Sequence, residues 1–106
     1  MDKREAVRVP VQVRAQCRSH GVIIDGLVED LSRSGLFLRA SGSIREGSSG
    51  ELDLDLPGEG QVRLLVEVVR VEPRPDGVGL GLRFIGPLER HRPLANFIML
   101  QHQVAR

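Results

Sequence analysis

Two short stretches of this chain hold residue types with which it could do chemistry: Arg4-Glu5-Ala6-Val7-Arg8, and Asp30-Leu31-Ser32-Arg33-Ser34-Gly35. The second places a carboxylate, a hydroxyl and a glycine within one tight turn, which supplies an acceptor, a donor and an unobstructed backbone. The first supplies two guanidinium forks, each able to hold a phosphate through two hydrogen bonds and to stack flat on a base. Both have plainer readings. Arginines near a chain end often form a solubilising basic tail. An Asp-x-Ser turn often bonds its own backbone, with the glycine taking a positive φ. Lys3 and Arg33 are further cations that a phosphate could meet or that water alone could solvate.

Other chemistries lack the residues they need. Ser32 has no Gly-x-Ser-x-Gly setting and no evident base, so nucleophilic catalysis is unsupported and no enzyme activity is expected. His20, His91 and His102 lack metal-site spacing, and Cys17 is the one cysteine, so neither a metal nor a disulfide framework is expected. Gly77-x-Gly79-x-Gly81 falls within a strand pattern and does not open a helix, unlike a dinucleotide-binding fingerprint. The net charge of +1 gives no global pull toward nucleic acid or anionic membrane. Charge is uneven, however: residues 1–18 hold Lys3, Arg4, Arg8, Arg14 and Arg18, whereas residues 46–59 hold five carboxylates and no Lys or Arg. With no Trp or Tyr and three Phe, stacking on bases falls to arginine planes. That weakens a small-barrel nucleic-acid binder using Arg8, Arg14 and Arg18, which stays a lesser alternative. No signal-peptide pattern or membrane-length apolar run is present, so a cytoplasmic protein is expected.

The elements that must position these residues are mostly strands. At 106 residues the chain suits one domain around one core. Residues 1–8 read as a mobile basic arm. From Val7 the pattern alternates through Val9, Val11, Val13, Ala15 and Cys17, a half-buried strand with Pro10 at an edge or bulge. Ser19-His20-Gly21 reads as a hairpin turn, and residues 22–31, 36–40, 51–56, 62–71 and 78–85 as the following strands. Residues 41–49 read as a loop too polar to pack. In 62–71 the apolar face switches, which requires burial on both sides or a bulge near Val68. Gly79 and Gly81 bare one face of the last strand, permitting close approach of something else. Beyond Pro87 the period becomes helical, with Pro93 suited to a first turn and Leu94, Phe97, Ile98 and Gln101 on one face. The predicted fold is mainly β: a six-stranded antiparallel β-barrel over residues 9–85 and a C-terminal helical segment over 87–104 that covers one end.

Arg-x-x-x-Arg before the first strand, Asp-x-Ser-x-x-Gly after the second, and Gly79-x-Gly81 followed by Phe84 together resemble the PilZ domain family, bacterial receptors for cyclic di-GMP. The resemblance runs from Lys3 to about Val104. It implies that Arg4 and Arg8 wrap the ligand, that Asp30 accepts from a guanine Watson-Crick edge, that Ser32 hydrogen-bonds the ligand, and that Gly35 leaves room for it. Lys3, Arg33 and Gly81 are possible further ligand positions, Lys3 through an influence on whether one ligand or an intercalated pair binds. The chemistry agrees, because guanine offers acceptors at O6 and N7 and donors at N1 and N2. The implied function is a receptor or adaptor that changes conformation on binding and regulates a partner protein in motility, secretion, biofilm formation or transcription. The alternative within the family is an adaptor that works by protein contact without the nucleotide.

Overall fold

Alternation in the sequence becomes inside and outside in three dimensions. The computed structural model describes residues 9–87 and 91–104. Strands β1 (Val9–Ser19), β2 (Val22–Leu31), β3 (Gly35–Ala40), β4 (Ser49–Leu56), β5 (Gly60–Arg74) and β6 (Gly77–Phe84) precede one helix, α1 (Arg92–Val104). The strands pair antiparallel and close into a barrel in the order β1-β2-β3-β6-β5-β4. The predicted six-stranded barrel with a C-terminal helix is therefore the observed fold.

Val13, Ala15 and Cys17 of β1 point inward, as do Leu52, Leu54 and Leu56 of β4 and Leu80, Leu82 and Phe84 of β6. Each such burial contributes roughly 1.5–3 kcal/mol for a full-sized apolar side chain, and closure leaves few unpaired edges. Leu94, Phe97 and Ile98 of α1 join the same cluster, with the helix resting on β1 and β5. The helix starts at Arg92, later than residue 87, where the helical segment was expected to begin; Pro93 occupies its first turn, where a missing N–H costs nothing. Ser19 pairs with Val22 across a two-residue turn in which His20 and Gly21 have φ of 50° and 80°. That is the turn type whose twist matches a hairpin. Cys17 is completely buried, and burial pushes its thiol pKa up against a smaller opposing effect of Arg18.

Two expectations about the chain's edges need correction. Residues 41–48 are not an unpacked loop: Ile44 is 6% exposed and belongs to the core. The Gly47 N–H donates to the Val68 carbonyl at 2.7 Å and the Val68 N–H to the Ser48 carbonyl at 2.8 Å, pinning the loop to β5. Strand β5 also runs on to Arg74, past the expected end at residue 71, and takes in Pro73. Past Glu67 it pairs with β6 and no longer with β4, an edge setting in which Pro73 is tolerated.

The apolar switch in β5 resolves as a bulge. The β5–β6 register shifts between Val68 and Arg70, leaving Leu65 and Val69 exposed outside while Val62, Leu64, Val66 and Val68 fill the barrel. Two more shifts occur, between Pro10 and Val13 in the β1–β2 pairing and between Val28 and Asp30 in the β2–β3 pairing.

Candidate ligand-binding face

The Asp30 to Gly35 segment is the connection from β2 to β3, and its own hydrogen bonds define its shape. The Ser32 N–H donates to the Gly35 carbonyl at 2.9 Å, and the Ser32 hydroxyl reaches the same carbonyl at 3.2 Å. The Ser34 N–H in turn donates to Ser32 Oγ at 3.3 Å. The Phe84 N–H donates to the Ser34 carbonyl at 2.9 Å, which ties the turn to the end of β6. Ser32 is fully buried, so its hydroxyl holds the turn from within, while Arg33 is exposed at the tip.

Gly35 is needed for a reason other than either one read from sequence. It is absent from the glycines with positive φ. A Cβ placed on it would lie 2.1 Å from the Leu82 carbonyl oxygen, so the missing side chain admits the backbone of β6. The room that was expected to serve a ligand is taken by the neighbouring strand.

Asp30 is half-buried and pairs across the sheet with Pro10 on one side and Phe37 on the other. Lys3, Arg4 and Arg8 lie outside the described residues. The described part of β1 begins beside the turn, with Val9 paired to Leu31 and Pro10 to Asp30.

Phe37, which sequence reasoning left unassigned, organises the outer face next to Asp30. It is 6% exposed yet lies outside the core cluster, because its ring rests on the exterior of the barrel. A Cβ on Gly79 would lie 2.4 Å from the ring, so the close approach predicted at the bare face of β6 is made by Phe37. The guanidinium carbons of Arg70 and Arg74 sit 5.4 and 4.8 Å from the centre of that ring, within cation–π range. Gly81 pairs with both Phe37 and Arg70, and a Cβ there would be 3.2 Å from Arg70 Cβ. The Gly-x-Gly pattern was the available signal. Phe84 and Phe97 are accounted for by core periodicity, which leaves Phe37 as the aromatic to fill the gap.

Carboxylates hold these arginines in place. Glu29 meets Arg74 at 3.3 Å and Arg39 at 3.4 Å, and Glu72 meets Arg70 at 3.0 Å. Around the barrel, on the outer face of β1, β4 and β5, Arg18 meets Glu51 at 3.3 Å and Asp53 at 3.1 Å, and Arg63 meets Asp53 at 2.8 Å. The hydrogen bond from Arg63, reinforced by the charges of Arg18 and Arg63, holds the Asp53 carboxyl below its ordinary pKa. Among the described residues no group of three His, Cys, Asp or Glu side chains is placed to hold a metal ion, and no helix is long and apolar enough to cross a membrane.

The PilZ domain family model matches residues 2–100. No curated protein matches the sequence significantly. Among solved structures, the PilZ domain of YcgR from Escherichia coli with cyclic di-GMP superposes with a TM-score of 0.80 at 15% identity, over 99% of this chain and 95% of that one. MotI, the inhibitor of motility from Bacillus subtilis, gives 0.78 at 21% identity, over 100% of this chain and 55% of that one. A longer YcgR structure from Escherichia coli in complex with cyclic di-GMP gives 0.81 at 17% identity, over 100% of this chain and 49% of that one. This chain thus spans about half the length of the last two.

Proposed function

The chain belongs to the PilZ domain family, and from that premise we propose that it is a receptor for cyclic di-GMP that passes the level of this second messenger to a partner protein. The observation that carries the proposal is the pairing of Pro10 with Asp30 on the outer face. It sets the start of β1 beside the Asp-x-Ser-x-x-Gly turn, and Arg8 stands two residues before Pro10 in the sequence, which supports a site to which both halves of the sequence motif contribute. Asp30 accepts from N1 and N2 of a guanine, while Arg4 and Arg8 donate to phosphate and to O6 and N7. Ser32 keeps the turn in shape, and Gly35 lets β6 support it from behind. As ligand binds, the arm carrying the two arginines closes over the dinucleotide, and the surface so formed is what the partner reads. Such a receptor performs no covalent chemistry and needs no cofactor beyond its ligand. The structures with cyclic di-GMP named above support the reading by fold.

Isothermal titration with cyclic di-GMP tests it. The intact protein is expected to bind, and Arg8→Ala and Asp30→Ala are each expected to remove most of that binding. An intact, folded protein that does not bind at tens of micromolar ligand would overturn the receptor reading in favour of an adaptor that works by protein contact alone.

A further inference from the structure

The three register shifts of the barrel are not scattered. They fall beside Pro10, beside Asp30 and beside Arg70. These residues belong to one lateral row, in which Pro10 pairs with Asp30, Asp30 with Phe37, Phe37 with Gly81 and Gly81 with Arg70. Five strands thus contribute to a single line across the outside of the barrel, and every shift lies on it. Bulges re-aim side chains and concentrate next to functional sites. Packing of the core does not demand this alignment, since the β1–β4 and β4–β5 pairings proceed without a shift.

From Asp30 to Arg70 the row covers roughly 14 Å, three inter-strand spacings of about 4.8 Å. Its far end is built to present a flat cation. Gly81 removes the side chain between Phe37 and Arg70, and the Phe37 ring holds the Arg70 guanidinium from beneath at 5.4 Å. Arg70 is the more open of the two arginines on the ring: its side chain is 61% exposed against 31% for Arg74, which Glu29 and Glu72 brace from both sides. Among the described residues a single carboxylate, Glu72 at 3.0 Å, engages the Arg70 fork.

We propose that Arg70, seated on Phe37, is a second recognition point for the ligand, stacking on the other guanine or holding the second phosphate of a bound cyclic dinucleotide. The inference rests on the receptor reading above. Asp30 can read one Watson-Crick edge only, whereas the ligand carries two guanines and two phosphates. Arg70 offers the second half a plane and a fork, and Glu72 competes for that fork until ligand displaces it.

The experiment is a titration of the full chain with cyclic di-GMP, comparing wild type, Asp30→Ala, Arg70→Ala, Arg70→Lys and Glu72→Gln, with thermal melting as the control for folding. Arg70→Ala is expected to weaken binding by about fivefold to tenfold at an unchanged melting temperature. Arg70→Lys should recover little, because an ammonium offers no plane. Glu72→Gln should tighten binding about two- to threefold by releasing the fork, a gain that a merely structural Arg70 would not produce. Wild-type binding that Asp30→Ala removes and Arg70→Ala leaves within twofold would overturn this inference and leave the receptor reading standing. Full recovery by Arg70→Lys would overturn the stacking role. Absence of wild-type binding would overturn the receptor reading itself.

Discussion

Two outer faces of the same barrel carry charge in opposite ways. On the face formed by β1, β4 and the first half of β5, the strands pair in unbroken register and the charges cancel locally, Arg18 and Arg63 closing on Glu51 and Asp53. On the face formed by β2, β3, β6 and the second half of β5, two of the three pairings are bulged, and the arginines cover an aromatic ring placed outside the core. Regular pairing with closed ion pairs makes a surface that water alone solvates. Bulges, bared glycines and an external Phe make one that, on the proposed receptor reading, takes a flat, anionic guest. Charge content does not separate the two; geometry does.

Substitutions can break that contrast at several levels. The largest effect is expected from Gly35→Ala, because a Cβ 2.1 Å from the Leu82 carbonyl must push β3 away from β6. A loss of about 3 kcal/mol in urea unfolding is expected, with ligand binding lost alongside, as for other overpacked or strained sites. Next comes Asp30→Ala, for which affinity should fall roughly a hundredfold, the scale of losing hydrogen bonds to a charged group, with the melting temperature little changed. Phe37→Leu is milder. It keeps an apolar filler over Gly79 but removes the ring beneath Arg70, and should cost severalfold in affinity, at most about tenfold.

The closed face should respond in stability and not in binding. The pKa of Asp53 is depressed in the folded protein, so its contribution is complete above the unfolded value of about 3.9 and disappears as the pH falls through the lower folded value. In urea melts, wild type should therefore exceed Asp53→Asn at pH 7, and the gap should close as the pH falls below about 4. Cyclic di-GMP affinity of Asp53→Asn at pH 7 should stay within twofold of wild type. A large loss would place the closed face in the site and erase the distinction between the two faces.

Most of the fold is legible in the alternation of Val9 to Cys17, Leu52 to Leu56 and Leu80 to Phe84, because period two survives wherever one side of a strand faces the core. The β5 bulge is legible as well, since the apolar face changes side at Val68. What escapes is whatever depends on a distant partner. Leu36, Phe37 and Leu38 are apolar in succession, so no period reveals that Phe37 points out while its neighbours point in. Gly35 looks like a turn glycine because its constraint comes from Leu82, far along the chain. Ile44 stands alone among polar residues, and a single apolar residue makes no pattern. The row from Asp30 to Arg70 exists only once β3, β6 and β5 are brought together out of sequence order.

The burial of Cys17 has a practical consequence. Its thiol is inaccessible and its pKa is raised, so little nucleophilic thiolate is offered to reagents in the folded state. The native chain is thus already suited to site-specific labelling, with no background cysteine to remove. A fluorophore attached through Arg33→Cys, at the exposed tip of the β2–β3 turn, would report changes at the rim of the ligand face as cyclic di-GMP is added. Ellman's reagent should leave the wild-type protein unmodified until denaturant is present.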